Sequence, residues 1–298
     1  MTNDELEVHR MYMEQLDSDC SIDLSEDIEY PPTAISMGSY SISTNTGIKR
    51  YPIPIGTYGN FSYISGQPKT KKSFLVSLLA SVYLSKEGYN KYGGNIRANR
   101  DGKCVVHFDT EQGKFHAQRV FRRPFEMNTD TDLGCYHTYS LRAIGYKTRI
   151  DFIDYKLKQM VSDGKKIGLC VIDGIADLVS DVNNIEESNL IVQKIMTWSS
   201  IYDCHIILVV HLNHNSEKST GHLGSFMTKK CETELLLTQN EGDENIISVK
   251  CKRSRNFSFE TFNFRVNELG YPKVIDDVDD IVPNKPQEPS KWQKQLKY

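Results

Sequence analysis

A short apolar run, Phe61-Ser62-Tyr63-Ile64-Ser65, leads through a lysine-rich stretch into a long apolar segment at residues 72–85. That segment carries Phe74, Leu75, Val76, Leu78, Leu79, Val82, Tyr83 and Leu84. It is apolar on nearly every face, as a helix buried against a sheet must be. A buried strand turning into a buried helix points to an α/β architecture. The turn reads Gly66-Gln67-Pro68-Lys69-Thr70-Lys71-Lys72-Ser73. It matches the phosphate-loop pattern G-x-x-x-x-G-K-[ST] at Gly66, Lys72 and Ser73, with Lys71 where the second glycine belongs. In such a loop the backbone N–H groups form a nest for a phosphate, and the helix dipole adds to it. Lys72 would reach the β- and γ-phosphates and Ser73 would ligate Mg²⁺, so ATP and Mg²⁺ are the expected ligands. The competing reading is a lysine-rich turn between two core elements. Lys71 in a left-handed glycine position would cost about 1–2 kcal/mol. Lys69, Lys71 and Lys72 also repel one another until a polyphosphate arrives.

The chain of 298 residues is long enough for one large α/β domain with extensions. No apolar run is long enough to cross a bilayer, and the first residues are acidic, without a signal-peptide core. Seven cysteines show no C-x-x-C spacing. Cys104, Cys170, Cys204 and Cys251 lie within or beside apolar segments, as in a reduced, cytoplasmic protein. The net charge of −3 hides an asymmetry: residues 1–30 carry −9 and the remainder +6. A mildly basic core with an acidic arm is compatible with nucleic-acid contact; a solvated leader is the plainer reading. The expected organisation is an acidic, partly disordered extension over residues 1–50, an ATPase domain over 51–282, and a flexible tail over 283–298.

Further strands are expected at residues 103–108, 136–141, 166–173 and 205–211, with helices at 112–125, 149–163 and 188–202. Pro124 should stop the first of these helices. Residues 31–60, with four prolines, read as extended pieces and turns, and the segment after His211 as a polar loop. A hairpin with a turn near Gly270 closes the domain. Alternating helices and continuous apolar strands imply a mostly parallel twisted sheet with helices on both faces and a C-terminal antiparallel hairpin. Such sheets bind ligands at the carboxyl ends of their strands.

Polar residues gather at those ends. Asp173 closes an apolar strand and suits a carboxylate that orients a water on Mg²⁺. In Asp109-Thr110-Glu111, Glu111 is the first choice for a general base, with Asp109 as competitor and a plain helix-start acid as alternative. His211 leaves a central strand where it can sense a γ-phosphate. His205, His211, His214 and His222 are close in sequence, but their spacing is no standard zinc set. Arg253 and Arg255 sit in a cationic cluster that is either a solvated face or a reach toward a neighbouring subunit's nucleotide.

Together these motifs resemble the RecA-like P-loop ATPases, in particular the replicative-helicase and RepA/RadA branch with its AAA-type ATPases of plasmids and mobile elements. The resemblance covers roughly residues 55–255. The phosphate loop, the Asp109-Thr110-Glu111 segment, the strand ending at Asp173, and His211-Leu212-Asn213 with Gly221 to Ser225 carry it. In the last of these, a sensor strand precedes a mobile loop that faces DNA. Arg253-x-Arg255-Asn256 resembles cations that act across subunits, and Lys71 departs from the common loop. The resemblance implies ATP hydrolysis by a homohexameric ring or filament acting on DNA, as helicase, translocase or remodeller. Lys218, Lys229 and Lys230 are candidate phosphate contacts, although no aromatic stacking platform is evident. The alternative function is a nucleotide-gated assembly switch or scaffold with little turnover. A small-molecule phosphotransferase fits less well, because no arginine-rich lid segment is present.

Overall fold

A computed structural model describes residues 2–128, 133–212 and 221–275. It divides into two units, residues 1–31 and 32–298. The first holds one helix, α1 (Asn3–Cys20), opened by a capping box in which Thr2 and Glu5 satisfy each other's backbone N–H groups. None of its residues is buried.

The second unit begins with a long hairpin, β1 (Thr33–Thr44) and β2 (Gly47–Thr57). Then come β3 (Phe61–Gly66), α2 (Lys72–Leu84) and the short β4 (Ile96–Ala98). Next are β5 (Cys104–Asp109), α3 (Lys114–Glu126), β6 (Tyr136–Ser140) and α4 (Tyr146–Ser162). The chain continues with β7 (Ile167–Asp173), α5 (Ile185–Ile201), β8 (His205–His211) and α6 (Gly221–Lys230). It closes through β9 (Thr233–Gln239), β10 (Ile246–Ser254), β11 (Phe262–Val266) and β12 (Pro272–Ile275).

Nine strands form one sheet in the order β12-β11-β10-β9-β3-β8-β7-β5-β6. The six from β9 to β6 run parallel; β10, β11 and β12 add on antiparallel. Successive residues of the parallel strands feed opposite cores. Val105, Leu169, Ile207 and Val209 pack with α2 and α3. Val106, Cys170, Ile206 and Leu208 pack with α4, α5 and α6. Burial on both faces is why these strands read as unbroken apolar runs.

Four local features depart from the sequence reading. Residues 33–50, assigned there to the amino-terminal extension, are β1 and the start of β2. Their Ser, Ile, Thr and Tyr content suits a strand, and β2 is the edge of the sheet β2-β1-β4, where Pro52 and Pro54 need supply no ladder N–H. The three-residue β4 was not foreseen. Pro124 does not stop α3; the helix runs on to Glu126. The Val120 carbonyl, which proline cannot reach with an N–H, lies 3.4 Å from the Ser77 hydroxyl. Residues 221–230, read as loop, form α6, held by Leu223 and Met227 in the core. Gly221 to Ser225 are therefore helical, and Lys229 and Lys230 sit in that helix's last turn. Asn213, His214, Lys218 and the tail at 283–298 lie outside the described residues.

Candidate nucleotide site

β3 ends at Gly66, and the loop that follows curls tightly back on it. A Cβ on Gly66 would stand 2.5 Å from Thr70 Oγ1 and 3.1 Å from the Leu237 carbonyl. Thr70 Oγ1 donates to the Gln67 carbonyl at 2.8 Å, which closes the turn. Pro68 stands exposed at its outside. Lys69 and Lys71 both adopt left-handed backbone angles, φ 68° and 58°. Lys71 is the residue just before α2, so the missing glycine is replaced by a lysine held in glycine's conformation. The helix dipole of α2 then points into the loop.

Lys72 is nearly buried. Its Nζ donates to the Gly66 carbonyl (3.0 Å) and the Gln67 carbonyl (2.9 Å), and lies 3.0 Å from His211 Nδ1. Burial lowers its pKa to about 8, against the pull of Glu111 and Asp173. Ser73 Oγ donates to Asp173 Oδ2 at 2.7 Å. Burial pushes the Asp173 carboxyl up to about 7; the Ser73 hydroxyl opposes this, and Asp109 and Glu111 add to it. Asp109 stands opposite Asp173 in the strand register. Its Oδ1 accepts the N–H groups of Glu111 (3.1 Å) and Gln112 (2.7 Å), while its buried Oδ2 has no partner among the described residues. Burial raises its pKa as well.

Glu111 lies 3.3 Å from His211 Nε2. That hydrogen bond is the main reason its carboxyl sits below the ordinary range. With Lys72 donating at Nδ1, the imidazole donates from Nε2, a tautomer assigned from its partners. Gly174 makes room for the pair: its φ is +107°, and a Cβ there would meet Thr110 Oγ1 at 2.2 Å and Glu111 Cγ at 2.8 Å.

These groups line a cleft of about 590 Å³, together with Lys69, Lys71, Phe74, His116, Arg119 and Arg123. Arg119 and Arg123 escaped the sequence reading. Their signal was the i, i+4 spacing, which puts them on one face of the helix after Glu111. The Arg123 guanidinium lies 3.9 Å from the Phe74 ring centroid, and its Nη1 donates to Ser77 Oγ at 2.9 Å. Burial lowers its pKa to about 10, and Arg119 adds to the shift.

The fold thus gathers Gly66, Lys72, Ser73, Glu111, Asp173 and His211 at one rim of the sheet. It does not bring Arg253 or Arg255 there. β10 runs against the parallel strands, so its carboxyl end lies at their amino ends, where Arg253 pairs with Glu234 in register. Arg253 Nε is 3.3 Å from Glu234 Oε2, and Arg255 Nη2 donates to the Lys230 carbonyl at 2.6 Å. His205 is buried at the far end of β8, its Nδ1 2.9 Å from the Thr57 carbonyl. Among the described residues no group of three or more His, Cys, Asp or Glu could hold a metal on its own. Mg²⁺ needs no such group, since it keeps several waters and takes one or two protein ligands beside phosphate oxygens. Ser73 and Asp173 meet that requirement, and the buried, partnerless Asp109 oxygen beside them marks a place short of positive charge.

Fold and site together define a RecA-like P-loop ATPase fold. Residues 54–217 match the family model described as AAA domain, and the chain belongs to that family. A solved ATPase domain, that of a helicase, is similar in structure, with a TM-score of 0.54 at 12% identity. The likeness covers 74% of this chain and 87% of that one. No curated protein matches the sequence. Among the described residues no helix is long and apolar enough to cross a membrane.

Proposed function

We propose that the cleft binds ATP with Mg²⁺ and hydrolyses it, and that the chain uses the cycle on DNA as a homo-oligomeric ring or filament. The observation that carries the reading is the Ser73–Asp173 hydrogen bond of 2.7 Å, beside Lys72 at the start of a buried helix. Lys72 stays mostly protonated at neutral pH and supplies positive charge to the β- and γ-phosphates. The loop N–H groups and the α2 dipole hold the same oxygens. Ser73 and Asp173 would hold Mg²⁺, which when bound neutralises charge on the phosphoryl oxygens. Glu111 is ionised at neutral pH, so it can accept a proton from an attacking water. His211 touches both Lys72 and Glu111, which suits it to couple phosphate contact to the base. Arg119 and Arg123 add cations within the chain, and Arg253 or Arg255 would serve a neighbouring copy's site. DNA as partner is supported by the motif order and the +6 charge outside the acidic arm.

The test is ATP binding by calorimetry together with turnover, with and without single-stranded DNA. Lys72→Ala should abolish binding. Glu111→Gln should keep binding and lower turnover by about 10²–10⁴-fold. Absence of binding to well-folded protein would overturn the reading. Binding without turnover in the unaltered chain would make it a nucleotide-gated switch. Turnover indifferent to DNA, with no DNA bound, would remove the DNA part alone.

A further inference from the structure

We propose that the outer half of the β1–β2 hairpin, together with Phe257, is a contact surface for single-stranded nucleic acid. The proposal rests on the DNA part of the reading above and gives it a place on the molecule.

The inner half of the hairpin is buried, and residues 41–51 are exposed. Tyr40 pairs with Tyr51 across the strands, and Ile42 pairs with Lys49. Paired residues share a face of a hairpin, so Tyr40, Tyr51, Ile42 and Lys49 form one surface. The Tyr40 and Tyr51 rings stack at 5.6 Å with 26° between planes. Phe257, from the segment after β10, brings its ring to 4.4 Å from Tyr40. Its outer side is open: Phe257 is 61% and Tyr51 39% exposed. Three adjoining rings form the platform that the sequence did not reveal, because Phe257 lies some 200 residues from the tyrosines.

Charge agrees. From Thr33 to Thr57 there is no acidic residue, in a chain that has 39. Lys49 and Arg50 are adjacent, so they put a cation on each face of the arm. Open aromatic faces bind unstacked bases, and cations beside them pair with phosphates. A duplex hides its base faces, which makes the single strand the better fit. The main rival is a second copy of the chain. The exposed apolar residues Ile42 and Ile48 fall on opposite faces, since Ile48 pairs with Ser43, so neither face is a continuous apolar one. The hairpin joins the body at the amino end of β3, whereas the cleft opens at its carboxyl end, so the surface is separate from the nucleotide site.

The experiment is fluorescence anisotropy of the full chain with a labelled oligothymidylate over a range of salt, with duplex as competitor. Tyr51→Ala and Phe257→Ala should each weaken binding about fivefold or more, whereas Tyr51→Phe should not. Lys49→Gln with Arg50→Gln should flatten the slope of log affinity against log salt by about 1.4. ATP turnover without DNA should be unchanged in all of them. If the unaltered chain binds the oligonucleotide and these variants match it, the surface is wrong while the DNA reading stands. If the unaltered chain binds none, both fall, and turnover shows whether the cleft reading survives. A change in assembly mass with unchanged affinity would make the arm an interface between copies and overturn the proposal.

Discussion

Lys71 shows what the phosphate loop demands of its backbone. With φ 58° and ψ 34° it occupies the left-handed region, where a Cβ crowds the following carbonyl. A β-branched residue would fare worse there, and a glycine would sit without strain. Lys71→Gly should relieve about 1–2 kcal/mol of strain and return about 0.4–1 kcal/mol through the freer unfolded chain. The net expectation is a gain of up to about 1 kcal/mol, with Lys71→Val losing stability instead. Denaturant unfolding of the three proteins checks this. If the glycine variant is the least stable of them, the lysine is not strained at that position. The lysine remaining there points to a use for its charge, since Lys69, Lys71 and Lys72 together ring the mouth of the cleft.

Two helices meet at a single hydroxyl. Ser77 of α2 donates to the Ser73 carbonyl at 2.9 Å and accepts from Arg123 of α3 at 2.9 Å. This fixes the guanidinium over Phe74 and ties α3 to the residue that would hold Mg²⁺. A hydrogen bond to a charged group contributes about 1.5–3 kcal/mol, so Ser77→Ala should cost about that much. A double-mutant cycle with Arg123→Gln should return a coupling of about 1 kcal/mol or more, and strict additivity would show that the contact is idle. Other elements explain what the sequence could and could not show. β3, β5, β7 and β8 were legible because burial on both faces leaves a long apolar run. Their carboxyl ends share one rim, so Ser73, Glu111, Asp173 and His211 were legible with them. α6 was not, because two glycines weaken its helical signal and only Leu223 and Met227 mark its buried face. The true place of Arg253 and Arg255 depends on β10 running antiparallel, which their own residues do not encode.

At the scale of the whole domain, covering both faces of the sheet seals ionisable groups inside. His107 is fully buried on β5, with Nδ1 2.9 Å from the Tyr136 hydroxyl and Nε2 without a partner among the described residues. Burial pushes its pKa down to about 3. The unfolded chain takes up a proton near pH 6.5, whereas the folded chain refuses it until about pH 3. Folding therefore loses stability as pH falls from 6.5 toward 3, by about 1.4 kcal/mol for each pH unit from this group. Asp173 works against that trend. Its raised pKa, about 7, makes the folded state bind the extra proton, so its contribution is lost as pH rises from 3.8 toward 7. A single acid titration of the protein mixes the two slopes. Comparison with His107→Gln separates them, because only the histidine differs. The variant should be the less stable of the two at pH 7.5, having lost ring packing against Phe121 at 4.9 Å between centroids. Its deficit should then shrink on acidification, by about 2 kcal/mol between pH 6.5 and 5. Denaturant unfolding of both proteins at those pH values measures it, and a deficit constant with pH would mean that His107 takes its proton in the folded state as readily as in the unfolded one.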